Sequence, residues 1–183
     1  MKVLYETDRL ILKVLDRSYA GLVRDYYLRN QSFLEEWEPV KEEEFYTIEY
    51  QEEQLDQELI RIEDKSSLRL WIFKKNDESR IIGSVGFNNI IRGAFLSCHL
   101  GYKLDQDEIN HGYMTEAIQE GIHIMFQEFG LHRIEANIMP KNIRSLRVAE
   151  KLGFYNEGLA FKYLKINGKW EDHIHMVLLN DNV

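Results

Sequence analysis

The stretch INHGYMTEAIQEGIHIMFQEF, residues 109–129, decides how this chain folds. Met114, Ala117, Ile118, Gly121, Ile122, Met125 and Phe129 recur at steps of three and four, the spacing of one buried helix face. Gly130 ends the pattern, as a glycine just past a helix C-terminus does. The apolar run Leu96 to Leu104 comes before it, so the local order is strand, tight turn, long buried helix. The first amides of such a helix have no backbone partner and carry the positive end of its dipole. Within the turn Asn110-His111-Gly112, the glycine would let an anion come close to that backbone. A phosphate cradle and an ordinary turn are the two readings of this corner.

Outward from the helix, the N-terminal side reads as a short strand from Leu10 to Val14, then a helix that Asp16 caps and that runs to about Asn30. Phe33 to Pro39 then reads as an ordered aromatic loop. Thr47 caps a second helix that ends before Ser66. Leu68 to Phe73, Ile81 to Phe87 and Phe95 to Leu104 form a meander of three strands. Beyond the long helix come a strand from Arg133 to Ile138 and a short helix capped by Asn142 and stopped by Gly153. A hairpin around Asn167-Gly168 finishes the chain. This is an α+β pattern: a mostly antiparallel sheet with one βαβ crossover.

At 183 residues and 44% hydrophobic content, one domain with a real core is expected. A single cysteine, Cys98, excludes an internal disulfide framework, and its alternation with Leu96 and Leu100 makes it packing rather than a nucleophile. The formal net charge of −8 argues against binding nucleic acid through its backbone. It suits a basic partner and also plain solubility. No leader-like segment and no apolar run of bilayer length is seen, so a cytoplasmic location without membrane association is expected. The six histidines show no metal spacing, and no metal is expected.

Several ordered stretches carry a resemblance. They are Asn30-Gln31-Ser32-Phe33-Leu34 with Trp37-Glu38-Pro39-Val40, Phe87 to Gly93, Leu100-Gly101-Tyr102, and Gly112-Tyr113-Met114 with Glu116-Ala117. Leu131-His132-Arg133-Ile134, Met139-Pro140-Lys141-Asn142, Lys151-Leu152-Gly153-Phe154 and Asn167 to Trp170 continue it. Together they resemble the GCN5-related N-acetyltransferase (GNAT) superfamily, and within it the RimJ/RimL-type ribosomal-protein-alanine N-acetyltransferases. The resemblance runs from about Thr7 to Leu179. It implies one GNAT domain over residues 1–183, with a seven-stranded sheet flanked by about four helices and an acetyl-CoA cleft between the fourth and fifth strands.

The resemblance also implies site residues. The pantetheine arm would lie along the backbone of Tyr102, Lys103 and Leu104 like an added strand. The pyrophosphate would rest on the amides of Asn110, His111, Gly112, Tyr113, Met114 and Thr115. The family's usual glutamine or arginine is Ile109 here, and Asn110 replaces a common glycine, so the backbone would do most of the binding. Asn142 would touch the cofactor, and Ser145 would serve the CoA sulfur as a proton donor. As purely local readings, Asn142 is a helix cap and Ser145 lies in the first turn. The tyrosine that several superfamily members use as acid has no counterpart, because Ala149 occupies its place.

Acetylating an amine requires a neutral amine, a donor for the developing oxyanion and a proton for the leaving thiolate. His99 precedes Leu100-Gly101-Tyr102, where relatives carry glutamate, and an imidazole is a suitable proton acceptor near neutral pH. A packing histidine is the alternative. Glu135 is the acidic candidate, and by alternation it shares a face with Arg133 and Asn137, so a salt bridge is its ordinary role. Phe33 and Trp37 line the acceptor pocket or pack over the first helices. Three functions follow: acetylation of a protein N-terminus, plausibly a basic ribosomal one; acetylation of a small amine; and CoA binding without catalysis. A monomer or a homodimer fits each.

Overall fold

Eight strands make one sheet in the computed structural model, which describes residues 3–183. They are β1 Leu4–Glu6, β2 Leu10–Lys13, β3 Leu68–Lys74, β4 Gly83–Ile91, β5 Ser97–Leu104, β6 Arg133–Ile138, β7 Tyr155–Ile166 and β8 Lys169–Leu179. The helices are α1 Ala20–Leu34, α2 Ile48–Glu63, α3 Tyr113–Gln127 and α4 Ile143–Lys151. Across the sheet the order is β1-β2-β3-β4-β5-β6-β8-β7. Every pair is antiparallel except β5 and β6, which the crossover through α3 makes parallel. The fold is the expected GNAT arrangement, with one strand more than the seven read from the sequence. The extra strand is Leu4–Glu6, where only Tyr5 is buried, so its three residues carry too little alternation to be legible. Pairing with β2 makes it a strand.

Both faces of the sheet are covered, which alternation along the strands makes possible. Leu10, Leu12, Leu70 and Ile72 belong to a core shared with Ala117, Ile118, Met125 and Ala149 of α3 and α4. Their neighbours Ile11, Trp71 and Phe73 face the opposite way, against Val23, Tyr26, Tyr27 and Leu55 of α1 and α2. Local signals set most boundaries. The Thr47 hydroxyl accepts from the Tyr50 amide at 3.2 Å and starts α2. Asn167 and Gly168 both have positive φ, 43° and 76°, as the tight hairpin requires.

Several boundaries differ from the sequence reading. Asp16 caps a short 3-10 turn ahead of α1, and α1 itself runs on to Leu34. Phe33 therefore stands on a helix rather than in a loop, because Pro39 restricts only the residue before it and nothing between Asn30 and Leu34 breaks a helix. In addition, β4 continues to Ile91 past a bulge at Asn88, with Asn89 at φ 52°.

The long helix lies close on the sheet at Gly121. A Cβ there would come within 2.7 Å of the Phe87 ring. Replacing glycine with alanine inside a helix gains about 1 kcal/mol of propensity. Overpacking a tight core costs about 1–3 kcal/mol. Gly121→Ala is therefore expected to lower stability by about 1 kcal/mol in denaturant titration; a variant more stable than the parent would contradict this packing.

Candidate active site

β5 and β6 keep company for only three rungs, Ser97–Arg133, Cys98–Ile134 and His99–Glu135. Past that point β5 stays on β4 as far as Leu104, and β6 stays on β8 as far as Ile138. The two strands part into a V, with His99 and Glu135 at its apex. The backbone of β5 from Leu100 to Leu104 is left with one free edge. A cleft of about 570 Å³ opens there. Leu100, Tyr102 and Leu104 form one wall, Asn137, Asn142 and Ser145 the other, and Asn110, Gly112 and Thr115 the far end.

Gly112 caps α3 with a left-handed backbone, φ 79°. Asn110 is left-handed as well, φ 65°, a conformation asparagine tolerates better than most residues. Of the residues implied for the phosphate, Asn110, Gly112, Met114 and Thr115 line the cleft. His111 and Tyr113 do not; their rings stack on each other with centroids 5.7 Å apart. Their backbones, not their side chains, belong to the turn.

On the opposite wall, Asn142 Oδ1 accepts from the Ser145 amide at 3.2 Å, the expected cap. The Ser145 hydroxyl stands in the cleft lining, beside the Tyr102 phenol with which it hydrogen-bonds. The Tyr102 hydroxyl donates to the Ser145 carbonyl at 2.9 Å and braces β5 against α4 across the V. Burial raises the pKa of that phenol, so it stays protonated.

The other face of β5 looks toward α1. Phe33 and Trp37 line the cleft here, with the Arg144 guanidinium 5.3 Å above the Phe33 ring. Glu38 receives ion pairs from both Lys41 and Lys103. Burial, reinforced by the Lys103 charge, lowers the Lys41 pKa to about 7. Lys103 thus contributes its backbone to the free edge and its side chain to this cluster.

His99 does not line the cleft. It is half-exposed at the apex, where the Asn89 amide approaches its Nδ1 at 3.2 Å and its Nε2 lies 3.7 Å from Glu135 Oε1. Glu135 is held tightly. His175 Nδ1 meets its Oε1 at 2.7 Å, and Arg133 donates to its Oε2 at 2.8 Å. Burial alone would raise the Glu135 pKa, but hydrogen bonds from Arg133, His175 and Asn137 outweigh it and bring the value to about 2. A carboxylate so anchored orients imidazoles rather than taking protons near neutrality. The sequence reading placed Asn137 on the face of Glu135 but gave neither it nor His175 a part in the site. His175 lies opposite Asn137 on β6, and only the β6–β8 register reveals that it reaches Glu135. Asn137 Oδ1 is buried in the cleft wall with no partner among the described residues.

Cys98 is buried in the core, which pushes its thiol up to about 12, in keeping with a packing role. Among the described residues, no cluster of three His, Cys, Asp or Glu could hold a metal ion. None of their helices is long and apolar enough to cross a membrane.

A splayed parallel pair facing a glycine-capped helix is the framework of an acyltransferase cleft. Residues 9–155 match the family model described as an acetyltransferase (GNAT) domain, so the chain belongs to the GNAT acetyltransferase family and is an N-acetyltransferase. It is 41% identical over 151 residues to the probable N-acetyltransferase YjcK of Bacillus subtilis, covering 82% of this chain and 83% of that protein. To the [ribosomal protein uS5]-alanine N-acetyltransferase of Escherichia coli it is 38% identical over 173 residues, 94% of this chain and 89% of the relative. The crystal structure of ribosomal-protein-S5-alanine acetyltransferase from Vibrio fischeri superposes with a TM-score of 0.94 at 36% identity, covering 99% of this chain and 98% of that one. These likenesses bear out the RimJ/RimL-type resemblance carried by the motifs.

The Glu135 network has a pH signature. Its folded pKa is depressed from 4.5 to about 2, so its contribution is fully present above the unfolded value and is lost as pH falls through the folded one. The shift corresponds to about 3 kcal/mol at most. Comparing thermal unfolding of the parent with Glu135→Gln, the parent's advantage should be full above about pH 5 and shrink toward pH 2. An advantage independent of pH would mean the carboxylate's charge contributes nothing.

Proposed function

We propose that this enzyme acetylates the N-terminal amine of a basic protein, an N-terminal alanine of a ribosomal protein being the best-supported acceptor. The observation that carries the reading is the open edge of β5, which leads from the His99–Glu135 rung to the glycine-capped start of α3. Likeness to the uS5-alanine enzyme over nearly the whole chain supports the choice of acceptor. So does the net charge of −8, which favours encounter with a basic chain.

Acetyl-CoA, the family's acetyl donor, supplies a thioester already activated for transfer. Every other part of the chemistry falls to the protein. The cleft volume, the free strand edge and the bare helix amides fit such a donor. In this reading the backbone of Tyr102, Lys103 and Leu104 pairs with the pantetheine arm, and the amides from Asn110 to Thr115 bind the diphosphate. Asn142 touches the donor beside its cap. Phe33 and Trp37 flank the acceptor.

An α-amine has a pKa of about 8, so a modest base suffices near neutral pH. His99, at the apex outside the cleft lining, takes that proton through water, and Glu135 steadies the imidazoles there. The Ser145 hydroxyl, in the cleft lining beside the Tyr102 phenol, donates to the departing sulfur. A cytoplasmic setting follows from a ribosomal acceptor.

Two measurements test this. A peptide bearing a basic ribosomal N-terminus should be acetylated with a kcat/KM at least tenfold above that of free amino acids, polyamines or aminoglycosides. Preference for a small amine would overturn the acceptor assignment. Ser145→Ala should lower kcat by about 10- to 100-fold while leaving the KM for acetyl-CoA within about twofold, as removal of a proton donor does. An unchanged kcat would remove Ser145 from the mechanism.

A further inference from the structure

The turn that leads into α3 is gripped from behind by the N-terminal segment. Arg9 Nη1 donates to the His111 carbonyl at 2.9 Å. Arg9 Nε and Nη2 both reach Glu116 Oε2 at 2.7 Å, and the Arg9 amide donates to Glu116 Oε1 at 2.8 Å. Thr7 Oγ1 adds a fourth bond to Glu116, at 2.6 Å. The guanidinium also lies over the Tyr113 ring, 4.7 Å from its centroid. None of these groups lines the cleft.

Two physical consequences follow. A trans peptide points its carbonyl and the next N–H to opposite sides. With the His111 carbonyl tied back to Arg9, the Gly112 N–H is turned away from β2, and Gly112 is one of the residues that line the cleft. Secondly, Glu116 stands in the first turn of α3, where its negative charge favours the helix but would repel a bound anion. Arg9 neutralises that carboxylate and draws it behind the turn. The turn needs such a strut, because Asn110 and Gly112 are both left-handed and the family's usual side-chain donor is Ile109.

We propose that Arg9, with Thr7 and Glu116, is a positioning device for the diphosphate end of the acetyl donor: it aims the turn's amides and cancels the Glu116 carboxylate beside them. This rests on the reading that the amides from Asn110 to Thr115 take the diphosphate.

The test compares CoA with pantetheine, which lacks the diphosphate and nucleotide. Affinities are measured by calorimetric titration for CoA and by competition for pantetheine, on the parent, Arg9→Ala and Arg9→Lys. The parent should bind CoA far more tightly than pantetheine. Arg9→Ala should lose at least tenfold in CoA affinity with pantetheine affinity within twofold of the parent. Should Arg9→Ala fail to fold, Arg9→Lys serves: it keeps the charge but cannot hold His111 and Glu116 together, so a several-fold loss confined to CoA is expected. Equal losses for both ligands, or no loss, would overturn the role of Arg9. A parent that does not distinguish CoA from pantetheine would instead remove the diphosphate reading, and the Arg9 proposal with it.

Discussion

The structure depends on where two strands stop pairing. β5 and β6 share three rungs and then separate, each following its own antiparallel partner, β4 on one side and β8 on the other. A strand edge buried without partners would be costly, since every backbone N–H and C=O must find a hydrogen bond. Here the edge of β5 faces a cleft, where water or a ligand can satisfy it. The V is kept from closing by side chains: Tyr102 reaches across to the Ser145 carbonyl and fixes α4 at a set distance from β5.

Around this opening the charges are sorted by position. The far end holds the amino end of a 15-residue helix with glycine at its cap, an electropositive corner built from backbone alone. The face toward α1 holds Glu38 between Lys41 and Lys103, beside the Phe33 and Trp37 rings. The apex holds Glu135, shared among Arg133, His175 and the more distant His99. In the proposed reading, anion binding, acceptor binding and proton handling occupy these three separate places along one strand edge.

The Glu135 cluster shows how burial and hydrogen bonding divide the work. One carboxylate receives both a guanidinium and an imidazole, and that pairing keeps it ionised in spite of partial burial. A permanently charged Glu135 is better suited to fixing the tautomer and orientation of neighbouring histidines than to accepting a proton itself. Asn137, with its amide directed to Glu135 and its carbonyl oxygen buried in the cleft wall without a partner among the described residues, extends the network toward the cleft.

Much of this was legible in the chain because it is written locally. The face of α3, the caps Thr47 and Asn142, the Asn167-Gly168 turn and the core position of Cys98 each follow from residues within one or two turns or from simple alternation. The ordered motifs identified the family, and with it the cleft. Leu4–Glu6 was missed because three residues hold no period, and the last turn of α1 because nothing near Asn30 marks a stop. What the tertiary structure alone decided is which distant side chains meet. Arg9 and Glu116 are 107 positions apart, and His175 and Glu135 are 40 apart. No spacing rule connects them: sheet register and the angle of the crossover helix bring them together, and those are set by packing the whole core at once rather than by any stretch of sequence.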